Sequence, residues 1–384
     1  MGVVSWLLLA LVAGAFFFSL VVVVAARSYR RARPPALARP EPISILKPLA
    51  GLEEGLEENL RSYFRQEYPA FELLFAVHHA ADPAAAVVEK LRGEFPDIPA
   101  RLIVTGEPPW ANPKDYSLEL LLAQARYDLL VMSDADTRAG PDMLSVIAAE
   151  FQDANLGLAS CPYRAVAGRD VWSRLEAVGL NTEMLAGMLA GRLLEGVKFG
   201  LGPVMAARRK AIQAIGGFAR VKDYTTDDFV LGRYVAEQGF GVILSSFVVE
   251  HRLGTQTWRE NLAQRLRWAR ACRRLRRAGY FGQLFTYPLP LALLLWAVRP
   301  DWWPASALTL AAHALAVGAT AGWVLRDPLM RRRWWLVPIE DLLSFASWIA
   351  GFFGNTVRWR GRRYIVNRDG TFRPEPAPQD QHVG

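Results

Sequence analysis

The feature that most constrains this chain is an apolar run near its N-terminus, Val3–Ala26, which carries no charged side chain. As a helix it is long enough to cross the roughly 30 Å hydrocarbon core of a bilayer. A cleaved signal peptide is the alternative, but the run lacks a basic n-region and is longer than a usual h-region. Basic, proline-rich Arg27–Pro40 follows, and basic flanks mark the cytoplasmic end of a span. We predict an anchor over residues 1–27 and a linker over 28–40.

Further apolar blocks lie in the last third of the chain. Two of them, Phe285–Val298 and Trp302–Leu325, are typical of a membrane hairpin. The third, Leu336–Val357, contains two carboxylates and is flanked by basic residues on both sides. A re-entrant or interfacial segment therefore competes with a full span. We assign residues 281–357 to the membrane and 358–384 to a cytoplasmic tail.

Composition favours a membrane protein over a nucleic-acid binder. The 384 residues are 52% hydrophobic and carry a formal net charge of +8. Such a charge suits nucleic acid, an anionic membrane surface or an anionic substrate. The arginines adjoin apolar blocks and lack interleaved aromatic platforms, so we expect an anionic membrane surface and no nucleic acid. Cys161 and Cys272 lie far apart and show no metal-ligand spacing.

Strands and helices alternate between the first apolar run and the later ones, through residues 41–259. Predicted strands, each followed by a helical pattern or a turn, are Pro42–Pro48, Phe71–His79, Ala100–Gly106 and Tyr127–Ser133. This rhythm predicts an α/β domain with a mostly parallel, Rossmann-like sheet flanked by helices. Ligands of such sheets bind beyond the carboxyl ends of the strands.

Two carboxylates one residue apart, Asp134 and Asp136, come directly after the fourth predicted strand. Both can reach one hard cation while Ala135 points elsewhere, and Mg²⁺ or Mn²⁺ prefers such oxygen ligands, shared with substrate phosphates. An ordinary strand-to-helix turn, in which Asp136 caps the helix after Pro141, is the alternative.

Other polar side chains are expected at the same edge of the sheet. Asp82 follows the second strand, where its carboxylate can accept from a nucleobase N–H, cap the next helix, or do both. Lys114 opens the helix before the two carboxylates, where a cation suits phosphate, although a surface lysine is commoner. Asp227 and Asp228 begin a later helix. One of the two carboxylates can interact with the positive end of the helix dipole, and the other is available as a general base.

A basic amphipathic helix is predicted over Glu260–Tyr280, between the α/β part and the later apolar blocks. Its apolar stripe comprises Leu262, Leu266, Ala269, Cys272 and Leu275, and its basic face comprises Arg267, Arg270, Arg274 and Arg277. Such a helix can lie on an anionic leaflet. A plain solvated face would also account for most of these arginines.

The motifs resemble those of membrane-embedded, inverting family 2 glycosyltransferases. The D, DxD, (E/D)D and QxxRW series of that family corresponds to Asp82, "SDADTRAGPDML", "TTDDF" and "QRLRW". Most of the chain resembles ceramide glucosyltransferases and their bacterial relatives, most closely the hopanoid biosynthesis-associated glycosyltransferases. The resemblance implies a GT-A fold with N-terminal and C-terminal transmembrane helices, in a bacterial inner membrane with the catalytic domain cytoplasmic. Animal relatives lack the second Asp of the DxD motif, which this chain has as Asp136.

The resemblance also implies roles for the motif residues. Asp228 would be the catalytic base, although Asp227 stays open, and Asp134 and Asp136 would hold Mg²⁺ or Mn²⁺. Positive charge from the metal and from Arg267 would stabilise the departing diphosphate. The donor-binding residues would be Asp82 at the uridine, Lys114, Asp134, Gln264, Arg267 and Trp268.

The expected reaction transfers a sugar from a UDP-sugar to a hydroxyl of a membrane lipid. We expect N-acetylglucosamine and a hopanoid first, with glucose and ceramide as the alternative. Few C-terminal spans favour a single transfer over processive synthesis. A nucleotidyltransferase would need a basic glycine-rich loop after the first strand, where "KPLAGLEEGLEEN" is acidic. An inactive membrane scaffold would tolerate substitution of the motif aspartates.

Overall fold

The computed structural model describes residues 2–359 and 362–375, so the predicted tail lies outside the described residues from Pro376 onward. The α-helices are α1 Gly2–Arg31, α2 Leu56–Phe64, α3 Pro83–Glu94, α4 Pro113–Gln124, α5 Met143–Glu150, α6 Val171–Gly179, α7 Leu185–Leu194, α8 Arg209–Ala214, α9 Asp227–Glu237, α10 Trp258–Leu275, α11 Arg277–Gly282, α12 Pro288–Val298, α13 Trp303–Val317, α14 Pro328–Arg333 and α15 Leu336–Gly351. Short 3₁₀ or π segments are Leu180–Met184, Phe218–Arg220, Gln283–Thr286, Pro300–Trp302 and Gly318–Val324.

The strands form one large and two small sheets. They are β1 Ile43–Pro48, β2 Phe71–Val77, β3 Ala100–Val104, β4 Leu129–Ser133, β5 Thr137–Arg138, β6 Leu156–Ser160, β7 Tyr163–Val166, β8 Val204–Arg208, β9 Gly241–Leu244, β10 Val249–Arg252, β11 Thr356–Trp359, β12 Arg362–Val366 and β13 Phe372–Pro374. The large sheet has the order β3-β2-β1-β4-β8-β6-β9. Its β8 runs antiparallel to β4 and β6, and the other pairings are parallel. The predicted mostly parallel sheet flanked by helices is confirmed.

The register of the parallel strands brings several loops to one edge. β1 pairs with β2 on one side and with β4 on the other, so their carboxyl ends lie together. β2 and β4 are buried along their whole length, as expected where helices cover both faces of a sheet. A small sheet of order β5-β10-β7 follows this edge, and its β10 pairs with β5 directly after the DxD motif. Residues from distant parts of the chain therefore meet beyond β4.

Within the described residues, two helices are long and apolar enough to cross a membrane: α1, with 30 residues, and the continuous Pro300–Val324, with 25. The predicted first arm of the hairpin is not one straight helix. Its helices Arg277–Thr286 and Pro288–Val298 meet at 66°, so a third span exists only if this bent pair is counted as one. The proline at position 288 cannot donate a backbone hydrogen bond, which favours the bend there. The third apolar block forms α15, whose 16 residues are fewer than a full span needs.

The basic helix predicted over Glu260–Tyr280 differs from its expected form. α10 ends at Leu275, and its arginines are not simply turned to lipid or solvent. Arg270 donates to the carbonyl oxygens of Phe353 and Thr356, which follow α15. The buried side of α10 comprises Asn261, Arg265 and Ala271. Arg270 binds these groups because carbonyl oxygens beyond the end of a helix need donors, and α10 lies beside them.

Candidate active site

The DxD motif lies on a loop that a buried lysine, Lys47, hydrogen-bonds. Lys47, at the end of β1, is fully buried, and its ammonium donates to the backbone oxygen of Asp134 at 2.8 Å and to Ser133 Oγ at 3.0 Å. The same ammonium lies 3.7 Å from the ring centroid of Tyr63. Burial lowers the pKa of Lys47 to about 7. These contacts fix the backbone that presents the two carboxylates.

The two carboxylates of the motif have different partners. Asp134 Oδ1 lies 2.7 Å from Lys114 Nζ, whereas Asp136 Oδ2 lies 3.1 Å from Nε2 of His251 on β10. Burial raises the pKa of Asp134. Burial also disfavours ionisation of Asp136, but His251 outweighs it and lowers the pKa of Asp136. The helix-capping alternative for Asp136 is wrong, because the residue before α5 is Asp142 and Asp136 faces β10 instead.

Lys114 joins two motifs that are far apart in sequence. Its ammonium contacts Asp134 and also lies 4.0 Å from Asp227 Oδ2. Burial opposes its charge, yet Asp134 and Asp227 together raise the pKa of Lys114. Behind it, Asp115 is almost fully buried and accepts from Asn112 Nδ2 at 2.8 Å. Burial and then the charge of Asp227 raise the pKa of Asp115 well above its usual range.

Asp228, at the start of α9, faces a glycine-rich loop. Its Oδ2 accepts from the backbone N–H of Gly202 at 2.6 Å, and its Oδ1 accepts from that of Phe229 at 2.8 Å. A Cβ on Gly200 would lie 2.4 Å from the backbone oxygen of Asp228, so a glycine is needed for this approach. Burial, and then the charge of Asp227, raise the pKa of Asp228 to about 6. Such a carboxylate is ionised at neutral pH and basic enough to take a proton.

Asp82 connects the loops after β1 and β2. Its Oδ1 accepts from the N–H of Ala84 at 2.9 Å, which is the helix cap that the sequence allowed. Both its oxygens also lie 3.1 Å from the N–H of Gly51. A carboxylate offers about four acceptor positions, so these bonds leave room for a further donor.

The QxxRW segment lies on α10 and turns Arg267 toward the acidic side chains of α9. Gln264 Oε1 accepts from Arg267 Nη2 at 3.0 Å, which orients the guanidinium. Burial lowers the pKa of Arg267, while the charges of Asp227 and Asp228 oppose that change. Trp268 is partly buried and packs against the main core. The structure thus brings the (E/D)D and QxxRW motifs to neighbouring positions.

Sequence reasoning missed three side chains of this region. Lys47 could have been recognised from the sequence. A charged residue inside an apolar strand is rarely buried unless it has a partner, so its position predicted one. His251 belongs to no motif and lies 115 positions from Asp136, so nothing local indicated their contact. Tyr163 lies edge-on to His251, with ring centroids 5.2 Å apart.

The carboxylates fit a divalent cation that is shared with a ligand. Across residues 2–359 and 362–375, no three Asp, Glu, His or Cys side chains are grouped as an all-protein metal site requires. Asp136 Oδ1 is nevertheless buried without a hydrogen-bond partner, although such oxygens normally have one. Mg²⁺ is commonly held by one or two carboxylates together with substrate phosphates. Asp134 and Asp136 therefore suit that role.

The sequence profile of glycosyl transferase family 21 matches residues 6–372. The chain belongs to this family. The ceramide glucosyltransferase 1 of Caenorhabditis elegans is 28% identical to this family 21 chain over 206 residues, which are 53% of the chain and 44% of that relative. A ceramide glucosyltransferase of Komagataella phaffii is 31% identical over 100 residues, or 25% of the chain and 20% of the relative. The chain thus spans less than half the length of these relatives.

A solved structure with the same fold is that of a mannosyltransferase from Pyrobaculum calidifontis in complex with GDP-mannose and Mn²⁺. The likeness covers 90% of the family 21 chain and 98% of the mannosyltransferase, with a TM-score of 0.53 and 19% identity. At that identity the likeness concerns the fold alone. The GT-A architecture implied by the sequence motifs is confirmed, and so is the relationship to ceramide glucosyltransferases.

Proposed function

We propose that this chain transfers glucose from UDP-glucose to a hydroxyl group of ceramide. The observation that carries the proposal is the convergence of Asp134, Lys114 and Asp228 beyond the carboxyl end of β4 in a family 21 chain. The matched relatives are ceramide glucosyltransferases by name, which supports the ceramide alternative over the expected transfer of N-acetylglucosamine to a hopanoid.

The donor diphosphate would lie against the DxD motif. Lys114 fixes the orientation of Asp134, and Lys47 fixes the backbone below it. A bound Mg²⁺ or Mn²⁺ would neutralise charge on the leaving diphosphate. Arg267 supplies positive charge from the chain itself, with Trp268 beside it on α10. Asp82 has acceptor capacity left for a uracil N–H.

Asp228 would take the proton from the acceptor hydroxyl. The oxygen would then form a bond to the anomeric carbon while the bond from that carbon to the UDP oxygen breaks. A single displacement of this kind inverts the anomeric configuration. The role suits Asp228 better than Asp227, because Asp227 already lies near the ammonium of Lys114 and shares its surroundings with buried Asp115.

The acceptor would reach this site from a membrane. The basic residues after α1 support a cytoplasmic position for the α/β part. We infer that the chain is a multi-pass protein of a bacterial cytoplasmic membrane, anchored by α1 and by Pro300–Val324. An anionic leaflet would attract the exposed Arg277 at the start of α11.

The proposal is tested by UDP release from purified protein in lipid nanodiscs. UDP-glucose and UDP-N-acetylglucosamine are each offered with ceramide and with a polyhydroxylated hopanoid. We expect turnover of UDP-glucose with ceramide, its loss on chelation of divalent cations, and its return with Mn²⁺ or Mg²⁺. Turnover only of N-acetylglucosamine with the hopanoid would contradict the proposal and favour the first expectation. Folded protein that turns over no pair would favour a scaffold.

The rate should depend on pH through Asp228. Its pKa of about 6 lies above the usual value, so the base is protonated at lower pH and ionised above it. We expect kcat/KM to fall about tenfold for each pH unit below about 6 and to level off above it. Initial rates at limiting substrate concentration measure this profile. A rate that stays constant down to about pH 5 would exclude Asp228 as the base.

A further inference from the structure

A pair of stacked aromatic rings lies directly beside the proposed base. The rings of Phe199 and Phe229 are nearly parallel, with an interplanar angle of 3° and centroids 6.0 Å apart. Phe229 follows Asp228 in the chain, and its backbone N–H donates to Oδ1 of that carboxylate. Both rings are partly exposed. The proposed chemistry uses neither ring, although the pair lies where the acceptor hydroxyl would arrive.

Close backbone packing fixes the loop that carries Phe199. A Cβ on Gly232 of α9 would lie 2.2 Å from the backbone nitrogen of Gly200. On the other side of the loop, a Cβ on Gly200 would lie 2.4 Å from the backbone oxygen of Asp228. Glycine permits approaches of this kind because it has no side chain. The loop and α9 therefore form one closely packed unit, which presents both rings beside the base.

Phe199 also belongs to a larger apolar surface that reaches the first helix. Together with Leu201 it packs against the buried cluster that α7 forms with the end of α1. Tyr29 of α1 is part of this cluster and lies just beyond the apolar run Val3–Ala26. With α1 in a bilayer as proposed, the cluster would lie where the chain leaves the hydrocarbon core. One end of this apolar surface therefore adjoins the base, and the other adjoins the membrane boundary.

The end of α7 adds exposed apolar side chains at the same level. Arg192 donates to Ser28 Oγ of α1 at 3.3 Å, which places this end of α7 beside the end of the apolar run. The next side chains along the helix, those of Leu193 and Leu194, are 38% and 67% exposed. Apolar side chains at such a boundary contact lipid, as those of interfacial helices do.

An exposed ion pair lies between these leucines and the aromatic rings. Arg276 donates to Glu195, the residue after Leu194, at 3.4 Å. The guanidinium of Arg276 also lies 5.6 Å from the ring centroid of Phe229. The two charged side chains are 48% and 68% exposed. Ion pairs this exposed contribute little to stability, so a lipid chain can displace this one at small cost. The exposed end of α7 is thus next to the rings.

We propose that Phe199 and Phe229 bind the hydrocarbon of the acceptor lipid next to its reacting hydroxyl, and that the exposed leucines of α7 lead the chains to the bilayer. This inference rests on the proposed function. A hydroxyl that reaches Asp228 brings its neighbouring carbons with it, and in a ceramide the hydrocarbon chains begin only a few bonds away. Burial of those carbons against apolar rings is favourable. The pair would therefore favour lipids over water-soluble alcohols as acceptors.

The test measures the acceptor KM of wild type, Phe199→Ala and Phe199→Leu in nanodiscs. The acceptors are ceramide and a short analogue, in which both hydrocarbon chains are cut off close to the amide and hydroxyl groups. We expect Phe199→Ala to raise the KM for ceramide about tenfold, because the apolar contact of the ring is lost. The donor KM and kcat should change little, since this contact binds ground state and transition state alike. Leucine keeps much of the apolar area, so Phe199→Leu should recover most of the loss.

Phe281→Ala is the matched control, because it also removes one exposed ring of an aromatic pair, but on α11. The ring of Phe281 lies 5.5 Å from that of Phe352, and its loss should leave the acceptor KM within about twofold of wild type. The short analogue completes a thermodynamic cycle, because Phe199→Ala should hardly change its KM when the chains are missing.

The outcomes separate this inference from the proposed function. No effect of Phe199→Ala on ceramide, or an effect at least as large on the short analogue, would overturn the inference and leave the proposed function standing. Wild type that glucosylates no ceramide would overturn both.

A measurement on the unaltered protein depends neither on the folding of a variant nor on turnover of the short analogue. A ceramide with a photoreactive diazirine on the first carbons of its sphingoid chain is cross-linked to wild-type protein in nanodiscs, and the labelled peptides are identified. We expect labels on peptides that contain Phe199 or Phe229, reduced by excess unlabelled ceramide. Competed labels confined to other peptides would contradict the inference.

Discussion

Asp228→Asn is expected to lower kcat for glucosyl transfer about 10³-fold, while the KM for the donor changes little. The amide of asparagine is not a base, so the acceptor hydroxyl would keep its proton. Asparagine can still accept one of the two hydrogen bonds that the carboxylate now accepts from Gly202 and Phe229. The fold around the start of α9 should therefore persist. Single-turnover rates with saturating ceramide, together with donor KM, measure the effect.

Asp227→Asn is the matched control, because it removes the neighbouring carboxylate of the same motif. Asp227 is 4.0 Å from Lys114, whose closer partner is Asp134. We expect at most about a tenfold loss of kcat in this variant. It should also lower the pH at which the rate declines, since the charge of Asp227 helps to raise the pKa of Asp228. A larger loss in Asp227→Asn than in Asp228→Asn would reverse the assignment of the base.

Arg265→Met is expected to lower the free energy of unfolding by about 3–5 kcal/mol. Arg265 on α10 donates to both carboxylate oxygens of Glu340 on α15, at 2.7 and 2.9 Å. Glu340 is only 2% exposed, so the variant leaves a buried carboxylate with no cation beside it. The remaining hydrogen bond from Ser344 does not replace that charge. Thermal unfolding of the protein in detergent, followed by tryptophan fluorescence, should show a clearly lower midpoint.

Two further variants separate the ion pair from general effects of removing an arginine. Arg265→Met combined with Glu340→Leu removes both charges and should recover most of the lost stability, because apolar groups of similar size can replace a buried pair. Arg259→Met removes an exposed arginine from the same helix and should change stability by less than about 1 kcal/mol. A double variant as unstable as Arg265→Met would show that Glu340 does not cause the loss.

One face of α10 lies toward the active site and another toward α15. The Asp228 predictions therefore concern activity, and the Arg265 predictions concern stability. Arg267 turns toward the carboxylates of α9, whereas Arg265 turns toward α15. Helical periodicity separates the two side chains, although only one residue lies between them. The helix that carries the QxxRW motif therefore also packs against α15, as α6 does.

Several elements could be predicted because their signals are local. The charge-free run of α1, the apolar strands β1, β2 and β4, and the cap Asp82 follow from residues close together in the chain. The position of Asp134 and Asp136 also followed, since parallel strands present their carboxyl ends at one edge. The order of motifs indicated a family 2 type glycosyltransferase similar to ceramide glucosyltransferases. The profile match over residues 6–372 assigns the chain to family 21 and confirms the relationship to ceramide glucosyltransferases.

Other features depended on packing between distant parts of the chain. The antiparallel β8 lies between β4 and β6, and no local pattern determines which strands become neighbours. The bend before Pro288 shortened a span that hydropathy alone made continuous. The arginines of α10 formed an amphipathic pattern, but the carbonyl groups after α15 decided what Arg270 binds.

The sequence by itself determined the long apolar helix α1, the α/β sheet and the acidic edge of that sheet, because periodicity and strand ends are properties of short segments. Only the tertiary structure decided which charges share a site. It brought Lys114 between Asp134 and Asp227, and His251 to Asp136. It also paired buried charges between the C-terminal helices and their neighbours, at Arg265 with Glu340 and at His313 with Asp341. The physical reason is that a buried charge needs a partner, and folding alone brings that partner from a distant part of the chain.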